Sequence, residues 1–181
     1  SNTPIQAALP WQLLLGACPA VTSLSLSALQ LEPLVHSMDK PAVKGLLAQL
    51  KRLVVRHRYS SGSTEVPEVV GRLLWACTQL EEVELHAHCW QPWLLLDPHS
   101  TSSSSAVGPP PLPLRRLTVS GMPPQLVAGW VQQRQPQLRR TLQSLEVSAC
   151  DAYAVPDLLD VGQLTGLVAL RELHLHHTGV T

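Results

Sequence analysis

Histidine occurs in two short clusters of the kind that can bind a metal ion. They read His86-Ala-His88-Cys89 and His174-Leu-His176-His177. Zinc is usually held by about four ligands at roughly 2.0–2.3 Å. If both clusters lie on strands of one sheet, His86 and His176 are three strand spacings apart, roughly 14 Å, and cannot share one ion. His88 should point inward and Cys89 should follow the strand, so we predict surface histidines and no metal site.

One basic run could contact phosphate groups. It reads Lys51-Arg52-Leu-Val-Val-Arg56-His57-Arg58. No aromatic residue is interleaved with these cations, and Glu82 and Glu84 are expected on the neighbouring strand. The whole chain has 13 basic and 13 acidic residues, so its formal net charge is zero. We therefore predict no nucleic-acid partner and no general attraction to anionic membranes.

Catalytic sequence motifs are absent. The chain contains no glycine-rich phosphate loop, no G-x-S-x-G turn and no H-E-x-x-H helix. The acidic residues Asp151, Asp157 and Asp160 fall around an expected helix start, where a favourable interaction with the helix dipole explains them. We predict that the chain is not an enzyme, holds no cofactor and has no small-molecule substrate.

The four cysteines indicate a reducing environment. Cys18, Cys77, Cys89 and Cys150 show neither a C-x-x-C pair nor the spacing of a disulfide scaffold. Cys18 and Cys77 have apolar neighbours, which is typical of buried free thiols. The apolar run that begins at Trp11 lacks the basic region of a signal peptide and is too short to span a bilayer. We expect an intracellular, cytoplasmic location.

A repeated apolar triplet, L-x-x-L-x-L, must position all of these side chains. It occurs six times, and its central residues are 29, 30, 34, 28 and 28 positions apart: Leu24, Leu53, Val83, Leu117, Leu145 and Leu173. A fixed period of this length is typical of stacked repeats with one short strand and one helix each. The stretches expected to be helical begin at a proline: 41–50, 67–77, 124–135 and 156–167.

The repeated triplets resemble the leucine-rich repeat family over nearly the whole chain. The period is similar to those of the ribonuclease-inhibitor type and of the cysteine-containing type found in F-box substrate receptors. The cysteine-containing type is indicated by Ala17-Cys18, by Ala76-Cys77 and by Cys150 at the ninth motif position. The resemblance implies an α/β solenoid with a curved parallel sheet on its concave face and helices on its convex face.

The residues between the inward positions of each strand should form columns along the concave face. The first column is Ser23, Arg52, Glu82, Arg116, Ser144 and Glu172; the second is Ser25, Val54, Glu84, Thr118, Glu146 and His174; the third is Ser27, Arg56, His86, Ser120, Ser148 and His176. The alternation of Arg52, Glu82 and Arg116 has two interpretations. Charge compensation between neighbouring strands is one, and contact with a partner is the other.

We expect residues 1–181 to form a single leucine-rich repeat array, a segment of a longer protein, with a disordered Ser/Pro-rich insertion at 99–113. The family resemblance implies a non-catalytic scaffold or interaction module in a multiprotein complex. The alternatives are substrate recognition in an F-box-type ubiquitin ligase and regulatory repeats appended to an enzyme. The partner would be another protein, bound on the concave face by nine residues: Arg52, Arg56, Glu82, Glu84, His86, Arg116, Glu146, His174 and His176.

Overall fold

One sheet of six parallel strands dominates the structure, which is a computed structural model. It describes residues 20–57, 70–87 without 71 and 75, 113–149 without 123 and 134, 158–159, 161–176 and 179–180. The sheet strands are β1 (Ser23–Ser27), β2 (Arg52–His57), β3 (Glu82–Ala87), β4 (Arg116–Ser120), β5 (Ser144–Ser148) and β7 (Glu172–His176). They lie side by side in chain order, as the repeated triplet predicts.

Helical segments lie between β1 and β2, between β2 and β3, and between β4 and β5. They are α1 (Ala28–Val35), α2 (Pro41–Gln49), α3 (Pro124–Gln133) and the short α4 (Gln135–Leu138), and residues 70, 72–74 and 76 are also helical. Proline at the start of α2 costs no hydrogen bond, because the first N–H groups of a helix have no partner within it. The proline-led helices expected before β2 and β5 are therefore confirmed, and the described part of the one before β3 agrees.

The register between strands is constant across the sheet. Leu24 pairs with Leu53, Leu53 with Val83, and the series continues without a shift to Leu145 and Leu173. A shift of one residue would exchange the two faces of a strand, so a buried face specifies the register strongly. The register confirms the predicted inward positions and the three predicted columns.

The inward faces of the strands form one apolar core with the helices. Leu53, Val83, Leu117 and Leu145 are 0–2 % exposed. The same cluster contains Val43, Leu46 and Leu47 of α2 and Val127 and Val131 of α3, so these helices cover the same side of the sheet. Burial ends at β7, where the equivalent Leu173 is 38 % exposed. This strand has a neighbour in the sheet on one side only, which leaves part of Leu173 uncovered.

A pair of backbone hydrogen bonds recurs at the start of each strand after β1. The carbonyl oxygen of Thr22 accepts from the N–H groups of Lys51 and Arg52, and the Lys51 carbonyl accepts in the same way from Glu81 and Glu82. The carbonyls of Glu81, Arg115 and Gln143 repeat the arrangement, with N···O distances of 2.7–3.0 Å throughout. This pair of hydrogen bonds aligns the start of each strand with the start of the strand before it.

The structure corrects the helix expected at 156–167. Residues Leu158–Leu159 form a short strand, β6, which pairs in parallel with β8 (Gly179–Val180), and Val161–Leu164 form a single 3₁₀ turn. The Thr165 hydroxyl donates to the Gly162 carbonyl at 2.8 Å, as does the Thr165 N–H at 3.3 Å. Such local bonds offer the backbone an alternative to a longer α-helix.

Several sequence expectations fall outside the described residues. They are the insertion at 99–113 apart from Pro113, the cysteines Cys18, Cys89 and Cys150, and His88 and His177. The acidic residues Asp151, Asp157 and Asp160 also lie outside them. These expectations stay predictions.

Candidate functional site

The predicted columns lie on the side of the sheet opposite the apolar core. We call the 18 residues of these columns the open face. All nine predicted binding residues belong to it, because strands β2, β3, β4, β5 and β7 carry them at alternate positions in one register. Side chains at alternate strand positions share one side of a sheet. The structure thus brings together, on one surface, residues that are up to 124 positions apart in sequence, from Arg52 to His176.

Arg52 is the most extensively paired cation on the open face. Its Nη2 atom donates to Glu84 Oε1 at 2.5 Å, and its Nε atom lies 3.5 Å from Glu82 Oε2. Glu82 is its direct partner in the register, whereas Glu84 lies diagonally across. Charge compensation between strands is thus present at Arg52, although Arg116 makes no corresponding bridge to Glu82 within the described residues. The contribution of the Glu82 contact to partner binding stays a prediction.

Glu84 is the centre of this charge cluster. Its side chain is only 19 % exposed, and partial burial alone would raise its pKa. The hydrogen bond and charge of Arg52, together with those of His86, outweigh burial and hold the pKa of Glu84 below its ordinary value. The His86 ring reaches Glu84 Oε2 with Nε2 at 3.5 Å and Ser120 Oγ with Nδ1 at 2.8 Å. Glu84 is therefore held as a carboxylate between two basic side chains.

Arg56 and Arg116 differ from Arg52 in having no ion pair among the described residues. Both side chains are exposed. Arg56 lies between Ser27 and His86 in the register. Arg116 lies between Glu82 and Ser144, but the Glu82 carboxylate is bridged to Arg52 instead. Their charges are available to groups outside the chain.

The other end of the open face is acidic and contains two of the histidines. Glu146 accepts a long hydrogen bond from Thr118 at 3.4 Å and lies 3.9 Å from Nε2 of His176. The rings of His174 and His176 are almost parallel, with centroids 6.4 Å apart. Glu172, at the start of β7, is exposed and has no ion pair within the described part of the chain.

Two small side chains on the open face are buried. Val54 is 5 % exposed and Ser144 is also buried, although neither belongs to the apolar core cluster. Val54 lies between Arg52 and Arg56 along β2 and pairs with Glu84 on β3. The longer side chains around Val54, including the Arg52–Glu84 pair beside it, shield it from solvent. The open face thus contains buried small side chains beneath its charged ones.

The sequence predictions do not include a further column of charged residues. It lies one residue before the open face, at the start of the strands, where Glu81 bridges Lys51 at 3.6 Å and Arg115 at 3.8 Å. The signal was present in the sequence, since Lys51, Glu81 and Arg115 have the same spacing as the repeat and alternate in charge. Because both bridges are surface contacts, we assign them a modest role in alignment of the strands.

Metal-binding and nucleophilic chemistry receive no support from the described side chains. No group of three or more His, Cys, Asp or Glu residues is arranged there to hold a metal ion. Cys77 is a free, fully buried thiol, and burial raises its pKa to about 12. A thiol with such a pKa is almost entirely protonated at neutral pH and is a poor nucleophile.

Among the described helices, none is long and apolar enough to cross a membrane. Comparison with known proteins found no family model, no curated protein and no solved structure that matches this chain.

Proposed function

We propose that this chain forms a leucine-rich repeat solenoid and that its open face binds another protein. The observation that carries the proposal is the set of three columns across six strands, polar at every position except Val54, opposite a buried apolar core. Aligned strands present such side chains as one continuous surface, which stacked repeats use for recognition.

The repeat interpretation is supported by more than the spacing of leucines. Each strand pairs with the next in the same register, and at each junction an equivalent backbone carbonyl accepts two N–H groups at the start of the next strand. The described helices, which lie between β1 and β2, between β2 and β3 and between β4 and β5, contribute to the apolar core on one side of the sheet. The sheet is not strongly curled, so the face that we propose as concave is shallow.

The composition of the open face favours a protein partner. It combines exposed arginines, carboxylates and imidazoles with two buried small side chains, those of Val54 and Ser144. Arginine is enriched among the residues that dominate binding energy at protein interfaces. The mixture of both signs of charge is suited to discrimination between partners rather than to general attraction of a polyanion. An intracellular setting belongs to the same proposal and is supported by the buried free thiol of Cys77.

Site-specific photo-crosslinking tests the proposal. A photoreactive amino acid would replace Ser25 or Ser148 on the open face, and in matched controls Arg72 or the exposed Gln132 of α3. Each variant would be irradiated in cell lysate, and the crosslinked proteins would be identified by mass spectrometry. We expect one protein to be captured from both open-face positions and from neither control. A partner captured only from the helical positions would show that the outer side carries recognition.

A further inference from the structure

The charges of the open face are distributed unequally between its two ends, and this distribution constrains the partner. Arg52 is occupied by Glu82 and Glu84, and these three side chains together carry a net charge of −1. The cations that remain are Arg56 on β2 and Arg116 on β4. With three arginines and two glutamates, the open face over β2–β4 has a net charge of +1, and its two charged side chains without an ion pair among the described residues are both cationic.

The carboxylates that remain are on the last two strands. Glu172 has no ion pair within the described residues, and the nearest imidazole to Glu146 is at 3.9 Å. Arg171 precedes Glu172 by one position, outside the open face, and weakens the acidic character at that edge. Glu146 lies in the middle column, where the flanking residues Thr118 and His174 carry no fixed charge. A partner therefore meets uncompensated negative charge over β5 and β7.

We propose that the open face binds an extended acidic–basic segment of another protein in one orientation, with the acidic part over β2–β4 and the basic part over β5 and β7. This inference rests on the proposed function, because it assumes that the open face is the binding surface. Four strand spacings separate β2 from β7, which is roughly 19 Å. An extended chain covers this distance in about six residues at ~3.3 Å each. The segment thus carries its carboxylates and its ammonium or guanidinium groups several residues apart.

A synthetic block peptide is the probe for this inference. It has about three glutamates at one end, a Gly/Ser spacer of about six residues and about three lysines at the other end. Matched peptides contain glutamates only or lysines only, and a single-stranded RNA of similar length is the polyanion control. Binding to the 181-residue chain would be measured by fluorescence anisotropy at about 50 mM and about 300 mM NaCl, because screening weakens exposed ionic contacts. We expect the block peptide to bind most tightly and its affinity to fall at the higher salt concentration.

The charge variants identify the responsible side chains. Arg56→Glu combined with Arg116→Glu should weaken binding of the block peptide by about tenfold or more. Arg72→Glu combined with Arg140→Glu changes the net charge equally, outside the open face, and should leave binding within about twofold. Arg56→Gln with Arg116→Gln should give an intermediate loss, and circular dichroism would establish that each variant is folded. An equal loss in the control pair, or RNA binding as tight as that of the block peptide, overturns the inference.

The orientation is tested by a photoreactive group at either end of the block peptide. The glutamate end should crosslink to β2 and β4, and the lysine end to β5 and β7. Reversed or identical crosslinks from both ends would overturn the orientation. If no peptide binds but a cellular partner still crosslinks through Ser25 and Ser148, the charge inference is wrong and the proposed function stands. If the partner crosslinks only through the helices, the proposed function itself is wrong.

Discussion

Arg52 bonds to Glu84, which lies diagonally across from it, at a shorter distance than to Glu82, which lies directly opposite. The diagonal contact joins the first two columns of the open face and lies beside the buried Val54. His86 extends the cluster from Glu84 to Ser120 on β4. Three neighbouring strands are thus connected through side chains as well as through the backbone.

The Glu84 contacts predict a specific dependence of stability on pH. Its pKa in the folded protein lies below the ordinary value of 4.5, so the stabilisation is fully present above pH 4.5 and is lost as the pH falls through the folded value. The free energy of unfolding of the wild type should therefore exceed that of Glu84→Gln at neutral pH and approach it progressively as the pH falls below 4.5. Urea denaturation across this range measures the difference. A difference that grows toward acidic pH would contradict the assignment.

Two leucines of the same inner column should respond differently to aspartate. Leu145 is 1 % exposed, whereas Leu173 is 38 % exposed. An unpaired carboxylate at Leu145 costs several kcal/mol, so Leu145→Asp should unfold the neighbouring repeats as well. Leu173→Asp can keep its charge in water and should lower the melting temperature much less. An unchanged melting midpoint for Leu145→Asp would show that the register is wrong.

The Cys77 thiol should be protected from alkylation in the folded protein. Its pKa of about 12 leaves almost no thiolate at pH 8, and its side chain is buried. Iodoacetamide should therefore label the peptide that contains Cys77 only after denaturation, as measured by mass spectrometry. The same peptide from urea-treated protein is the positive control. Rapid labelling without denaturant would indicate that the 70–77 segment opens readily.

Removal of Ser100 to Gly108 should leave the fold intact. This segment lies outside the described residues, and its deletion would shorten the period of 34 to 25, within the range of known repeats. Loop-closure entropy changes slowly with length, so the melting temperature should change little. Circular dichroism and size-exclusion chromatography test this. Loss of monomeric, folded protein would show that the segment is required for packing.

Replacement of two open-face charges should separate binding from stability. Arg56→Ala combined with Glu146→Ala should reduce partner affinity while the melting temperature stays within a few degrees, because exposed ionic contacts contribute little to stability. Arg72→Ala with Glu81→Ala, which lie outside the open face, is the matched control for partner capture. Unchanged affinity of the open-face variant would remove these two residues from the binding site.

The sequence predicted the register of the six strands because the buried leucine and valine positions leave one arrangement that covers all of them. It did not predict α1, whose internal Pro33 argues against a helix. The available signal was Ser27 followed by Gln30, and the Gln30 side chain does accept from the Ser27 N–H at 2.9 Å. The prediction of a helix at 156–167 was wrong for the opposite reason, because there the local pattern favoured a helix that does not form. Its proline and apolar residues fit a helix locally, but Leu158–Leu159 instead pair with Gly179–Val180, a contact that local patterns do not contain.

For the candidate site, the sequence predicts which residues share the open face but not which contacts their side chains make. Alternation along each strand fixes which residues share the open face. It does not determine which group a long side chain contacts, because Arg52 can reach the carboxylates of both Glu82 and Glu84 on β3. The burial of Val54 follows from those same contacts and was therefore also beyond the sequence.

The shared carbonyls at the strand starts leave the side chains at those positions free to vary. Threonine, lysine, glutamate, arginine and glutamine occupy equivalent places at residues 22, 51, 81, 115 and 143, yet each main-chain oxygen accepts the same two N–H groups. Only proline is excluded from the donor positions, since it has no N–H to contribute. Mutation can therefore change the charge along this edge one repeat at a time without disturbing the scaffold, which lets its chemistry diverge while the architecture persists.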